Sequence, residues 1–224
     1  MSGAVFLDLK MAFDLVDHDI LLKKLAIYLK NSSSLPFLKS YLHNRTQCVL
    51  LHGSYSSKES VKYGVPQGSV LGPILFSLFI NDLPLHVKDI SVDCDMLADD
   101  TTLHTSGKDI MQIRSKMQDS LDQVSNWCDN NHMVINPIKT KSMTIATGQK
   151  HQLSPLPLDL VLNGAKIDQV SEHRLFGITI DNKLRWDSHI CRCYSTTNNK
   201  DIHSEILLQK DIDKYSISKN KNNN

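Results

Sequence analysis

The sequence has almost no net charge, no long apolar run and no cysteine framework, and each shortage narrows the reading. Twenty-five Lys and Arg stand against 24 Asp and Glu, a formal charge of +1. Overall charge therefore argues neither for nor against a nucleic-acid partner, since nucleic-acid-binding proteins often localise their basic surface. Five cysteines, an odd number without regular spacing, fit a reducing, intracellular setting better than a disulfide scaffold. The longest apolar stretch, Val70–Ile80, is shorter than the ~20 residues a bilayer demands and reads as a buried helix. Residues 1–15 have no basic leader and carry Asp8 and Asp14, so no secretory signal is read there. No Ser/His/Asp set is spaced for nucleophilic catalysis. His189, Cys191 and Cys193 fall short of the four ligands of a structural zinc site.

What is present centres on two adjacent carboxylates, Asp99 and Asp100. Before them Val92, Cys94, Met96 and Ala98 alternate with Asp93, Asp95 and Leu97, and Thr101, Thr102 and Leu103 follow. The pattern predicts two short strands joined by a tight turn, with the acidic pair at the turn. Like charges this close stay ionised together only when water or a cation neutralises them. Oxygen-only donors suit a hard cation such as Mg²⁺. A third carboxylate, Asp8, ends the apolar run Ala4–Leu7, and a Gly/Pro-rich loop, Gly64–Ser69, lies between the two acidic sites.

With 224 residues, 41% of them apolar, the chain is long enough for one domain plus a tail. Helices are predicted over about 19–30, 70–82 and 109–130, with a shorter one at 36–42. The 109–130 helix is the clearest: Ile110, Ile113, Met117, Leu121, Val124 and Cys128 recur at steps of three and four. Runs at 47–51 and 57–61 read as a hairpin through His52-Gly53-Ser54-Tyr55. Residues 143–146, 158–162, 166–167 and 176–180 read as strands, with Asn163-Gly164 a strong turn signal. The Asn-, Lys- and Ser-rich end buries too little to offset its ordering entropy and is expected to be disordered, apart from a short helix near 206–208.

Adding a nucleotide to a 3′-OH calls for carboxylates from different strands converging on one point, where two metal ions about 3.5–4 Å apart activate the nucleophile and hold the phosphates. Asp8 and Asp99 are the candidates, with Asp100 as an auxiliary carboxylate. Asp14 and Asp17 read as cap or turn residues. Lys23-Lys24 and Lys139–Lys141 read either as phosphate contacts or as solvated surface.

The segment Val5-Phe6-Leu7-Asp8-Leu9-Lys10-Met11-Ala12-Phe13-Asp14-Leu15-Val16-Asp17-His18 resembles motif A of reverse transcriptases of non-LTR (LINE-like) retrotransposons. Gly64-Val65-Pro66-Gln67-Gly68-Ser69-Val70-Leu71-Gly72-Pro73 resembles their motif B, and Leu97-Ala98-Asp99-Asp100 their motif C. Asn136-Pro137-Ile138-Lys139-Thr140-Lys141 is similar to the segment after the motif D helix, and Phe176–Asp181 with Leu184–Trp186 to the segment beyond the palm. The resemblance implies that Asp8, Asp99 and Asp100 are the catalytic, metal-binding carboxylates, served by two Mg²⁺ ions or by Mn²⁺. It makes Phe13 the gate against a ribose 2′-OH, whose alternative is plain core packing. Gln67 and Gly68 would border the incoming nucleotide, and Lys139 would assist at the pyrophosphate. Its implied partners are an RNA template, a DNA primer and deoxynucleoside triphosphates, with action in the nucleus. Two departures stand out: Lys10-Met11 replace the usual Ser-Lys, and Arg174-Leu175-Phe176-Gly177 lacks the Tyr-Leu-Gly of many relatives.

The expected fold is α+β, a polymerase palm whose antiparallel sheet is backed by helices. Residues 1–147 form the palm, 148–190 a post-palm β segment and 191–224 the tail. The fingers, upstream of Asp8, are expected to be largely missing, and no thumb is read after His189. The function implied is RNA-directed DNA polymerisation. Two other readings remain open, a catalytically inactive retroelement remnant that at most binds nucleic acid and a two-metal nuclease, although the nuclease would need neither the Gly64–Ser69 loop nor an aromatic gate.

Overall fold

The computed structural model describes residues 1–30, 32–146 and 157–197. It is a mixed α/β structure, rich in antiparallel pairing, in two compact units, Met1–Ser171 and Glu172 onward.

In chain order the first unit holds β1 (Ser2–Leu7), α1 (His18–Tyr28) and α2 (Ser34–Leu42). Four two-residue strands follow: β2 (Thr46–Gln47), β3 (Leu50–Leu51), β4 (Ser54–Tyr55) and β5 (Glu59–Ser60). Next come α3 (Leu71–Ile80), β6 (Val92–Leu97), β7 (Asp100–Ser106), α4 (Ile110–Asn130) and β8 (Lys141–Ile145). The unit closes with β9 (Val161–Leu162), β10 (Ala165–Lys166) and β11 (Asp168–Gln169).

Five strands form the main sheet in the order β11-β8-β1-β7-β6. The three central pairings are antiparallel and only β11 runs parallel to β8. Residues 3–7 of β1 are all buried, as a strand with a neighbour on each side and covered faces demands. Helix α4 packs on the Gly3–Val5–Leu7 face. A Cβ at Gly3 would lie 2.6 Å from Ile113 Cγ2, so only glycine admits the helix this close. All six residues of the predicted α4 stripe are buried, each contributing roughly 1.5–3 kcal/mol of apolar transfer. The helix starts at Asp109, whose side chain accepts the Met111 N–H at 3.2 Å. In α1, Asp17 is the cap, accepting from the N–H groups of Asp19 (2.8 Å) and Ile20 (3.1 Å). Leu21 and Leu25 are buried, but the helix stops at Tyr28, and Tyr28 is largely outside the core.

The 46–60 segment differs from the expected four-residue turn. His52 and Gly53 both adopt left-handed φ, +48° and +82°, so they alone make the turn and Ser54-Tyr55 already belong to the returning strand. Asn163-Gly164 turns as predicted, with φ of +50° and +78°.

The second unit is a hairpin, β12 (Glu172–Leu175) with β13 (Ile178–Asp181), and helix α5 (Asp187–Thr197). Phe176-Gly177, expected in a strand, instead make the turn with φ of +51° and +84°. Helix α5 crosses the point at Cys191 where the tail was expected to begin. His189 Nδ1 accepts the Thr179 N–H at 3.4 Å, and Arg192 pairs with Glu172 at 3.1 Å, which ties the helix to the hairpin. The predicted helix near 206–208 lies outside the described residues. Among the described residues no helix is long and apolar enough to cross a membrane.

Candidate functional site

Register brings the three carboxylates to one end of the main sheet. The β1–β7 ladder ends with Leu7 opposite Thr101, so Asp8 and Asp100 each stand one step beyond the last pair. The β6–β7 turn is tight: Leu97 pairs with Asp100, leaving only Ala98, at φ +55°, and Asp99 in the loop. Strand alternation continues Phe6 to Asp8 and Thr102 to Asp100 on the sheet face away from α4. Asp8 is half-buried, while Asp99 and Asp100 are exposed. The donor set here is carboxylate only, which fits a hard divalent cation. In the rotamers seen, no three acidic, imidazole or thiol groups among the described residues converge to hold a metal ion.

Beyond Asp8 the chain leaves the sheet. Met11 takes φ +46°, and its carbonyl accepts from the N–H of Asp14 (2.9 Å) and Leu15 (3.0 Å), closing a turn. The turn presents Phe13, half-buried, whose ring stacks on Phe76 of α3 with centroids 4.3 Å apart and planes 22° apart. Phe13 thus packs against the core.

The Gly64–Ser69 loop is pinned along this segment. Phe13 O accepts the Val65 N–H and Val16 O the Gly64 N–H, both at 2.8 Å, and His18 Nε2 lies 2.7 Å from Gly64 O. Gly64 has φ +84°, and a Cβ there would meet the Asp14 backbone at 3.0–3.1 Å, so any other residue is strained on two counts. Gln67 Nε2 donates to Asp14 Oδ1 at 2.8 Å. Gly68 (φ +78°) follows in the same loop. Ser69 Oγ then donates to Pro66 O and accepts the Gly72 N–H, starting α3. A cleft of about 620 Å³ opens beside the loop, lined by Asp14, Arg45, Gln47, Lys62 and Gln67 among others. Asp8, Asp99 and Asp100 are not among its lining residues.

Lys139 is exposed on a turn between Asn136 and Thr140, and that turn holds the backbone of Asp8: Asn136 N–H donates to Asp8 O at 2.7 Å, and Asp8 N–H to Thr140 Oγ1 at 3.3 Å. Nothing in the local sequence marks Asn136 and Thr140 for this task. Their only signal was standing in the motif that carries Lys139. Lys24 is a correction. Neither phosphate contact nor wet surface, its Nζ donates to Asp82 Oδ1 and Phe79 O, both at 2.7 Å, and lies over the Phe79 and Trp127 rings at 4.6 and 4.7 Å.

The family model for reverse transcriptase (RNA-dependent DNA polymerase) matches residues 2–180. The chain belongs to this family. It is 36% identical over 206 residues to a probable RNA-directed DNA polymerase from transposon BS of Drosophila melanogaster, a match covering 86% of this chain and 22% of that protein. It is 39% identical over 192 residues to the RNA-directed DNA polymerase from mobile element jockey of the same species, covering 83% and 20%. The kinship with LINE-like reverse transcriptases inferred from the motifs therefore holds. The chain spans about a fifth of the length of these relatives. In fold, this reverse transcriptase segment is similar to apo telomerase from Candida tropicalis truncated from its C-terminal domain, with a TM-score of 0.58 at 18% identity over 83% of this chain and 35% of that one.

Proposed function

We propose that the chain is the palm of an RNA-directed DNA polymerase, which joins deoxynucleotides to a DNA 3′ end on an RNA template. One observation carries the reading: the β1–β7 and β6–β7 registers bring Asp8 to the sheet end occupied by Asp99 and Asp100. Three carboxylates there are the donor set for Mg²⁺, with Mn²⁺ as a substitute. Held by these carboxylates, a pair of such ions would supply acidification of the 3′-OH and charge neutralisation at the triphosphate and pyrophosphate.

The chain's own residues hold and orient. Asp8, one step past β1, and Asp99, in the β6–β7 turn, would hold the metal, and Asp100 reinforces them from the first position of β7. Phe13, fixed by its stack on Phe76, lies under the deoxyribose and excludes a 2′-OH by overlap. Gly68, in its left-handed conformation, lets the backbone approach the nucleotide, and Gln67, held by Asp14, borders it. Lys139 Nζ delivers a proton to the leaving pyrophosphate.

The test is Mg²⁺-dependent primer extension on an RNA template. Asp99→Asn loses extension while its urea midpoint stays at the native value. An Asp99→Asn variant that extends like the native protein overturns the assignment. Salt-sensitive RNA binding without extension in the native protein points instead to a remnant that only binds.

A further inference from the structure

We infer that the Asn136–Thr140 turn is a clamp that positions Asp8, with Thr140 as its key side chain; the inference rests on the polymerase reading of Asp8 above. Asp8 sits where β1 runs out of partners. Its ladder with β8 ends at Phe6 opposite Lys141, and that with β7 at Leu7 opposite Thr101. The peptide groups of Asp8 therefore have no strand to pair with, and a half-buried peptide left unpaired is costly.

The turn supplies both missing partners. Thr140 Oγ1 accepts the Asp8 N–H at 3.3 Å, and the Asn136 N–H donates to Asp8 O at 2.7 Å. The pairing continues through a Leu9–Ile135 bridge and a Lys10 N–H to Val134 O bond at 2.8 Å. The chain is thus handed from the main sheet to residues 134–136 at the position of the carboxylate.

The turn is itself braced. Thr140 is fully buried, and its N–H donates to Asn136 O at 2.9 Å. Asn136 Oδ1 accepts the Ile138 N–H at 3.2 Å. Lys141 Nζ ties Ile138 O (2.6 Å) to Asp168 (2.7 Å). With both sides of the Asp8 peptide held, the carboxylate moves only through its own side-chain torsions. Lys139 rides on the same turn, so the metal-binding carboxylate and the proton-donating lysine share one rigid support. Thr140 is a positioning residue: it acts on the reaction through Asp8.

The experiment is Mn²⁺ binding by electron paramagnetic resonance on the full chain, with urea midpoints for each variant and hydrogen exchange of the Asp8 amide. Thr140→Val removes the acceptor and keeps the shape. It is expected to weaken Mn²⁺ binding about tenfold, as loss of a partner that orients a ligand does, and to speed Asp8 amide exchange. Thr140→Ser restores the hydroxyl and with it native affinity. Thr140→Cys, a weaker acceptor of similar size, falls between them and serves if Thr140→Val does not fold. Native Mn²⁺ affinity in Thr140→Val or Thr140→Cys, beside lost binding in Asp8→Asn, overturns the clamp alone. Native affinity in Asp8→Asn, or no Mn²⁺ binding by the unsubstituted chain, overturns the assignment of Asp8 and the clamp with it.

Discussion

Gln67 and Asp14, separated by 53 positions, are joined by a hydrogen bond of 2.8 Å from Gln67 Nε2 to Asp14 Oδ1. It links the loop that follows Asp8 to the glycine-rich loop that opens α3, at the mouth of the cleft of about 620 Å³. Both side chains are exposed, so the bond does little for stability and much for where Gln67 points.

Asp14→Ala is therefore expected to leave the urea midpoint within about 1 kcal/mol of native. In primer extension the nucleotide KM rises about fivefold, the equivalent of that bond, while kcat holds. Steady-state kinetics against nucleotide concentration read the split. A fall in kcat at constant KM would place Asp14 in the chemical step instead.

Phe13 has two tasks that substitutions separate. Phe13→Ala breaks the stack on Phe76. It costs about 1.5–3 kcal/mol, below the roughly 3–5 kcal/mol of a fully buried ring, and raises ribonucleotide incorporation. Phe13→Leu recovers most of the stability and little of the selectivity, because an aliphatic side chain fills the space but lacks the rigid plane. Competition between matched ribo- and deoxynucleotides measures selectivity, and urea melts measure stability. Unchanged selectivity in both variants removes Phe13 as the gate.

The local parts of this fold were legible because they rest on short-range physics. Helix α4 follows from a six-residue apolar stripe and the Asp109 cap. The Asn163-Gly164 turn follows from two residues that accept left-handed φ. The same rule misled at Phe176-Gly177, where a strand was read through a turn because phenylalanine rarely takes φ +51°. Lys24 was illegible for a different reason. Nothing within α1 announces that Asp82 and Trp127, 58 and 103 positions along, will enclose it. Thr140 and Asn136 likewise gain their roles only once β1 runs out of sheet beside them.

Lys24 should behave as a buried structural cation. Burial pushes its pKa below the ordinary lysine value, and Asp82, by hydrogen bond and charge, pulls it part of the way back. Trp127 Nε1 donates to the same Asp82 oxygen at 3.2 Å. Lys24→Met is expected to cost about 2–3 kcal/mol, less than the roughly 3–5 kcal/mol of a fully enclosed pair, since Asp82 keeps some water contact. Lys24→Met with Asp82→Asn recovers a large part, because no lone charge remains. Urea midpoints of the four combinations give the coupling. A cost under about 0.5 kcal/mol for Lys24→Met would mean the pair behaves as a solvated surface pair.

Asp17 gives the fold an acid-sensitive joint. Burial alone would raise its pKa, but the Ile20 N–H, the His132 ring and the Asp19 N–H together outweigh burial and hold it below the ordinary aspartate value. His132 Nδ1 lies 3.0 Å from Asp17 Oδ2, so the carboxylate caps α1 with one oxygen and meets the imidazole with the other. A depressed pKa means that the folded state favours the ionised form. The contribution is complete above the unfolded pKa, about 3.9, and is lost as pH falls through the lower folded value. Asp17→Ala is expected to destabilise by about 1–2 kcal/mol at pH 7, mostly through the lost cap, with the exposed half of the His132 pair adding little. The gap between native and variant urea midpoints should stay constant from pH 7 to pH 5 and shrink below pH 4. A gap that holds at pH 3 would assign the effect of Asp17 to its shape and hydrogen bonding alone, with no share from its charge.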